Sequence, residues 1–436
     1  MYTENVDSIL QRFVLLHPQL IDLSLDRIKI LSEKLGNPEK KIKNIIHVAG
    51  TNGKGSTIAY LAASLIACGK KVDSYTSPHL VEFNERIKIG TNGKQKLISN
   101  EELENILLEC EVINNKSPIT IFEITTIAAF LQFSRTGSDY LLLETGLGGR
   151  LDATNIIEKP LINIITPISI DHQDFLGKSI KEIASEKAGI LKKDVPAIIG
   201  PQEKEALLVI EDRSRKLNSP LIKWGTDFLA YEQNGNLVYE DSHGLLDLPM
   251  PGLEGDHQII NAGTAIAALR YVSKKTLEQK YIAQGMLNVE WPARLERLEK
   301  GDLNTFMLDG SELWLDGGHN ISAANVISKA MKNLNDRNPM PLTLIVGMMR
   351  SKDSKAFLSY FSDICDKVIA VNIPDQNNSQ DAKLIEKNAR DLGIKTFIAK
   401  DIKQAINIDN NSKVRILIVG SLYLAGHVLK MQSGKN

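Results

Sequence analysis

The sequence predicts an α/β protein of two domains, each built on a mainly parallel sheet, and three observations predict it. A chain of 436 residues, 43% of them hydrophobic, exceeds what one core serves. Short apolar runs bounded by turns alternate with helix-compatible stretches, the order that parallel strands joined by crossover helices require. The alternation breaks at a turn-rich stretch over 228–248 and again at Trp291-Pro292, then resumes. The boundary is therefore placed after residue 290, with a larger domain over 1–290 and a smaller one over 291–436.

The elements follow in order. Leu25, Ile28, Leu31 and Leu35 recur at helical spacing, and Gly36 with Pro38 stops that helix. Residues 45–49 are a short apolar run entering a glycine-rich turn, and 58–67 beyond it are helix-compatible, which gives strand, loop, helix. Further buried strands are expected at 140–143, at 161–165 and, after a helix over 180–191, at 197–199. The stretch 228–248, turning at Asn234-Gly235-Asn236, reads as a small antiparallel appendage to the first domain. A helix over 258–271 precedes the proline-interrupted segment. Beyond it, strands expected at 312–315, 342–346, 367–371 and 415–419, separated by helix-compatible stretches, describe a Rossmann-like α/β domain.

Lys plus Arg number 52 against 53 for Asp plus Glu, so the chain has no global attraction for nucleic acid or an anionic membrane. Any anion must be bound locally. Cys68, Cys110 and Cys365 share no metal-ligand or redox spacing, as expected of spare thiols in a reducing compartment. With no apolar run of membrane-spanning length and no basic leader, the expectation is a cytoplasmic protein without a membrane partner.

Gly50-Thr51-Asn52-Gly53-Lys54-Gly55-Ser56, between a strand and a helix, is the strongest local signal. Glycines let backbone N–H groups converge on phosphate, the helix N-terminus adds a favourable dipole, and Lys54 is expected at the outer phosphates of ATP. The common Walker spacing is not met: Val48 stands where its first glycine belongs, and Gly55 separates Lys54 from Ser56. Glu144 follows an apolar strand and opens a glycine-rich run to Asn155, a position from which a carboxylate can hold Mg²⁺ beside a nucleotide. Asp171-His172 follows another such strand. His172 can ligate a metal, but an isolated histidine is more often simply hydrogen-bonded. Taken alone, Glu186 and Lys187 read as a solvated helical face, Arg294 as a surface charge able to pair with phosphate, and Asp316-Gly317-Gly318 as a turn.

Around the loop, Arg27-Ile28-Lys29, Leu35-Gly36-Asn37-Pro38, His47-Val48-Ala49, Tyr75-Thr76-Ser77-Pro78-His79-Leu80 and Asn84-Glu85-Arg86-Ile87 occur in an order and spacing that resembles the folylpolyglutamate synthase and dihydrofolate synthase family, within the Mur-type ATP-dependent amide ligases. The likeness is greatest to the bacterial bifunctional members, dense up to Ile190 and thinner after Asn320. It implies ATP-dependent addition of L-glutamate to dihydropteroate and to reduced folates through an acyl phosphate, with two Mg²⁺ ions, by a monomer. Residue by residue it implies ATP contacts at Thr51, Asn52, Gly53, Lys54, Gly55, Ser56, Asn261, Arg294, Asp316 and His319. It implies magnesium ligands at Ser77, Glu144 and His172, and pterin contacts at Thr120, Leu151, Asp152 and Ala153. Catalytic roles fall to Lys54, Glu144, His172 and Lys187, the last carbamylated by carbon dioxide into an anionic group that supports a magnesium site. An extension-only folylpolyglutamate synthase stays open beside this reading. So do a cell-wall Mur ligase, which would carry a further domain ahead of the loop, and a nucleotide-binding switch protein without a competent metal set.

Overall fold

The computed structural model describes residues 5–273, 277–408 and 412–434. It divides into two compact units, one of Met1–His79, Phe83–Gly252 and Ile259–Val289, the other of Leu80–Glu82, Leu253–Gln258 and Glu290–Asn436.

The first unit is organised by strands β1 (Ile45–Ala49), β2 (Val72–Tyr75), β3 (Ile87–Thr91), β4 (Lys94–Leu97), β5 (Tyr140–Glu144), β6 (Ile162–Ile165), β7 (Ala197–Ile199) and β8 (Leu221–Lys223). They lie in the order β4-β3-β2-β5-β1-β6-β7-β8. Every pair from β2 to β8 along that order is parallel, and the β2–β3 and β3–β4 pairs are antiparallel. β1 is buried along its whole length, as a central strand covered on both faces must be. The chain leaves β1 for β2 on one side and, after β5, crosses to β6 on the other. The carboxyl ends of β5, β1 and β6 therefore border the crevice where open α/β sheets bind ligands.

Several helices owe their start to local chemistry. Ser99, Thr120 and Ser179 each open a helix through a reciprocal capping box, over Asn100–Asn114, Ile121–Thr136 and Ile180–Ala188. The first two are not anticipated from the sequence. Ile121–Thr136 is buried without a break from Glu123 to Leu131, so its apolar residues trace no stripe at helical period. The helix expected from residue 58 begins at Lys54, directly on the glycine loop. The helix expected to reach residue 191 ends at Ala188, with Gly189 as its C-cap lying against Arg150, where a side chain would collide. The antiparallel appendage is a three-stranded sheet of β9 (Phe228–Gln233), β10 (Asn236–Asp241) and β11 (Gly244–Pro249). Asn234 and Gly235 both take positive φ, 53° and 81°, the two-residue turn whose twist suits a hairpin.

The second unit carries β12 (Glu296–Arg297), β13 (Glu312–Leu315), β14 (Leu342–Val346), β15 (Lys367–Ala370), β16 (Lys395–Ile398) and β17 (Arg415–Val419), in the order β12-β13-β17-β14-β15-β16. All its pairs are parallel except β12 with β13. Leu344, Val346, Leu417 and Val419 enter one core cluster and Ile345, Ile416 and Ile418 another, so both faces of the central strands are covered. Within this apolar setting Glu312 and Arg415 face each other in register, Arg415 Nε donating to Glu312 Oε2 at 2.6 Å while Trp314 Nε1 donates to the same oxygen at 3.0 Å. Arg415 is 1% exposed.

Replacing Arg415 by Ala removes the nearest cation from a buried carboxylate. It is expected to destabilise the second unit by about 3–5 kcal/mol in urea titration, whereas the Glu312→Leu/Arg415→Met double variant regains most of that loss. A single variant as stable as the parent would show the pair to be dispensable.

Candidate active site

The glycine loop leaves β1 and bends back on itself. Gly50, at φ 151°, presses against Thr166, where a Cβ would collide with the threonine side chain. Gly53, at φ 85°, lies against Asn261, whose Oδ1 occupies the space a Cβ would need. The amide of Thr51 donates to Pro167 O at 3.0 Å, and the Thr51 hydroxyl donates to Ser169 O at 3.0 Å, which fastens the loop to the segment after β6. Lys54 opens the helix Lys54–Ala67 and turns its Nζ back onto the carbonyls of Gly50 and Thr51, each at 3.3 Å. A helix N-terminus entered through a glycine turn, with a lysine at its first position, is an arrangement suited to a polyphosphate.

Glu144, at the end of β5, brings Oε1 to 3.9 Å from Lys54 Nζ, and its Oε2 accepts the backbone N–H of Ser77 at 3.1 Å. The structure thus joins Lys54, Ser77 and Glu144. Among the described residues no three His, Cys, Asp or Glu side chains form a metal cage. Magnesium does not need one, since it retains waters and takes phosphate oxygens, so the oxygen donors of Ser77 and Glu144 beside the phosphate loop fit that ion. His172 is exposed at φ 50°, just ahead of the short helix Gln173–Leu176.

Lys187 departs most from its sequence-level reading as a solvated charge. It is 5% exposed, and its Nζ donates to Gly50 O at 2.8 Å. Burial, with the charge of Lys54 adding to it, pushes its ammonium down to about 7. The approach depends on close backbone packing: Arg150 N donates to Glu186 O at 2.7 Å, and a Cβ on Gly149 would meet the carbonyls of Glu186 and Lys187. The loop after β5 and the end of the helix Ile180–Ala188 therefore form one block.

Asp152 is buried in that loop. Its Oδ2 accepts Leu147 N–H at 2.7 Å and its Oδ1 accepts Thr154 N–H at 3.0 Å, while burial pushes its pKa upward. Ala153 is buried beside it and Leu151 is half-buried. Thr120 caps the helix Ile121–Thr136, its hydroxyl donating to Glu123 Oε2 at 2.7 Å. Sequence reasoning missed three residues here. Phe122 lies where a side chain on Gly146 would fall, which puts its ring against the same loop, and Arg27 Nε donates to Glu123 Oε2 at 3.0 Å. The Thr-x-x-Glu capping pattern at 120–123 was the available signal for the helix start.

In the second unit, Arg294 sits between Ala293 at φ 54° and Leu295 at φ 46°, an uncommon conformation for two non-glycine residues. The strand end after β13 holds it there: Asp316 Oδ2 accepts Leu295 N–H at 2.8 Å, and Gly317 N–H donates to Ala293 O at 3.0 Å. Asp316 Oδ1 also accepts Gly318 N–H at 2.6 Å, and His319 Nδ1 donates to Gly317 O at 3.0 Å. Burial pushes the Asp316 carboxyl up while Arg294 opposes that shift. The structure thus groups Arg294, Asp316 and His319, with Asp316 acting as a scaffold for the arginine.

Gly53→Val would both strain the left-handed backbone and displace Asn261, so nucleotide affinity is expected to fall by at least roughly tenfold with the circular dichroism spectrum retained. A fluorescent ATP-analogue titration checks this; unaltered affinity would show that the loop tolerates a side chain there.

The Mur ligase middle domain matches residues 48–269, and the dihydrofolate synthetase C-terminal domain matches residues 300–431. The dihydrofolate synthetase of Saccharomyces cerevisiae is 31% identical over 435 residues, covering 95% of this chain and 98% of that protein. The solved structure of Escherichia coli FolC in complex with DHPP and ADP aligns at a TM-score of 0.87 and 29% identity over 98% of this chain and 97% of its own. A bifunctional folylpolyglutamate synthase/dihydrofolate synthase with Mn, AMPPNP and L-glutamate bound aligns at 0.84 and 29% identity, over 98% of each chain. The matched domains, the relatives and the solved structures fall in one group of proteins, and the chain belongs to the dihydrofolate synthase/folylpolyglutamate synthase family, ATP-dependent ligases of the Mur ligase superfamily.

Proposed function

We propose that this chain joins L-glutamate both to dihydropteroate and to reduced folates, with ATP as the energy source. The observation that carries the reading is the approach of Lys54 and Glu144, 3.9 Å apart, across a loop built for phosphate, with the Asp152 loop leaving the same strand end. The named ligands of the relatives support it: DHPP and ADP in one, a nucleotide analogue, manganese and L-glutamate in another. Residues 1–290 serve as the ATP and pterin domain and 291–436 as the glutamate-ligase domain. The reading is of a cytoplasmic monomer; its three cysteines are free, and no helix among the described residues is long and apolar enough to cross a membrane.

An amide does not form from a carboxylate and an amine to a useful extent in water. The substrate carboxylate therefore attacks the terminal phosphorus of ATP and ADP departs; the glutamate amine then attacks the acyl carbon and phosphate leaves. Thr51, Asn52, Gly53, Gly55 and Ser56 hold the phosphates through backbone and hydroxyl groups, and Lys54 offsets the charge that develops on the transferred group. Asn261, Arg294, Asp316 and His319 serve the nucleotide, and Thr120, Leu151, Asp152 and Ala153 the pterin. Magnesium held by Ser77 and Glu144, and a second ion at His172, would neutralise phosphate oxygens. Lys187, its ammonium pushed down to about 7 by burial, is able to take up carbon dioxide as a carbamate, since only the free amine reacts.

Purified protein with ATP, magnesium and labelled glutamate is expected to yield labelled product with dihydropteroate and, separately, with tetrahydrofolate. Product with neither would end the folate assignment, and product with tetrahydrofolate alone would make the enzyme extension-only. Lys54→Ala is expected to lower turnover by at least ~10²-fold. Labelled bicarbonate should give a carbamate carbon signal that grows as pH rises through about 7 and is missing in Lys187→Arg, because deprotonation supplies the reactive amine. A signal that persists in that variant would remove Lys187 from this role.

A further inference from the structure

His47 stands in the middle of β1 with no exposed surface, a costly place for an imidazole that is not fully hydrogen-bonded. Its Nδ1 has no hydrogen-bond partner among the described residues, and its Nε2 lies 2.9 Å from Thr154 Oγ1. The Thr154 hydroxyl has one proton, and this proton goes to Asp152 Oδ1 at 2.5 Å, since a carboxylate that also accepts the Thr154 N–H can only accept. Nε2 must then carry the imidazole proton and donate it to Thr154. Burial, reinforced by Lys192, pushes the ring's pKa down to about 3, so it stays neutral in this one tautomer. The donors run in a single direction, from the centre of the sheet to the carboxylate in the loop after β5. One nitrogen of a buried histidine is left unpaired to maintain that direction.

We propose that His47 and Thr154 are positioning residues for the pterin-binding carboxylate: donation from His47 Nε2 commits the Thr154 hydroxyl to Asp152 and fixes the plane in which Asp152 meets the heterocycle. This inference rests on Asp152 being a pterin contact. Hydrogen bonds weaken steeply off axis, so a carboxylate that takes N–H groups from a flat ring loses affinity when its plane is free to turn. Oδ2 is oriented by Leu147 N–H and Oδ1 by both the N–H and the hydroxyl of Thr154, so losing the hydroxyl leaves Oδ1 its weaker backbone donor and loosens that end of the carboxylate. The phosphate loop is untouched.

The test is steady-state kinetics and thermal melting of the full chain carrying His47→Leu, Thr154→Val, Thr154→Ser or Asp152→Asn. Because His47 Nδ1 is already unpaired, Leu at this position should not cost the fold. Thr154→Val is expected to raise KM for dihydropteroate roughly tenfold, and His47→Leu by a few-fold, with kcat and KM for ATP unchanged and Thr154→Ser close to the parent. If Asp152→Asn raises that KM while His47→Leu and Thr154→Val do not, the relay is rejected and the pterin contact stands. If Asp152→Asn leaves it unchanged, the pterin contact fails and the relay with it. A fall in kcat with both KM values shifted alike and a lower melting temperature would make the role structural and overturn the proposal.

Discussion

A buried amine must find an acceptor, and the one Lys187 finds is the carbonyl of Gly50, 2.8 Å away. Much of the first unit's site follows from that requirement. To bring the amine in, the helix Ile180–Ala188 has to pack onto the loop after β5 closely enough for Arg150 N to reach Glu186 O, and glycine at 149 and 189 permits the approach. The same bond occupies the carbonyl that begins the phosphate loop, so the loop's curvature and the lysine's burial are one arrangement. Its electrostatic consequence is two cationic side chains on one short loop, with the more deeply buried of them losing basicity.

Carboxylates play contrasting parts within the two units. Glu144 accepts the backbone N–H of Ser77 and faces Lys54, where its oxygens suit a hard cation. Asp152 and Asp316 instead each accept two backbone N–H groups, which orders the loops that carry them. Asp316 does so at the cost of two left-handed non-glycine residues flanking Arg294, strain of the kind that gathers where a side chain must point in one direction.

Much of the fold was legible because parallel strands buried on both faces are written as continuous apolar runs. β1, β7, β13, β14 and β17 lie where those runs place them. The hairpin at Asn234-Gly235 was legible because its turn needs positive φ at both positions. Ile121–Thr136 was not, since a helix surrounded by protein carries no polar face, and its capping pattern passed unused. The edge strand β4 and its neighbour β3, only partly buried, lacked the apolar run as well.

Gly50 to Ser56, the carboxylate after β5 and the polar ends of the strands were determined by sequence alone, because turn geometry, glycine freedom and apolar periodicity act between near neighbours. Tertiary structure alone decided that Lys187 is buried against Gly50, 137 residues away, and that His47 reaches Thr154 across 107 residues. The physical reason is the same for both. Burial and tautomer are set by what packs from other parts of the chain, and a lysine on a helix or a histidine in a strand reads identically whether water or a carbonyl awaits it.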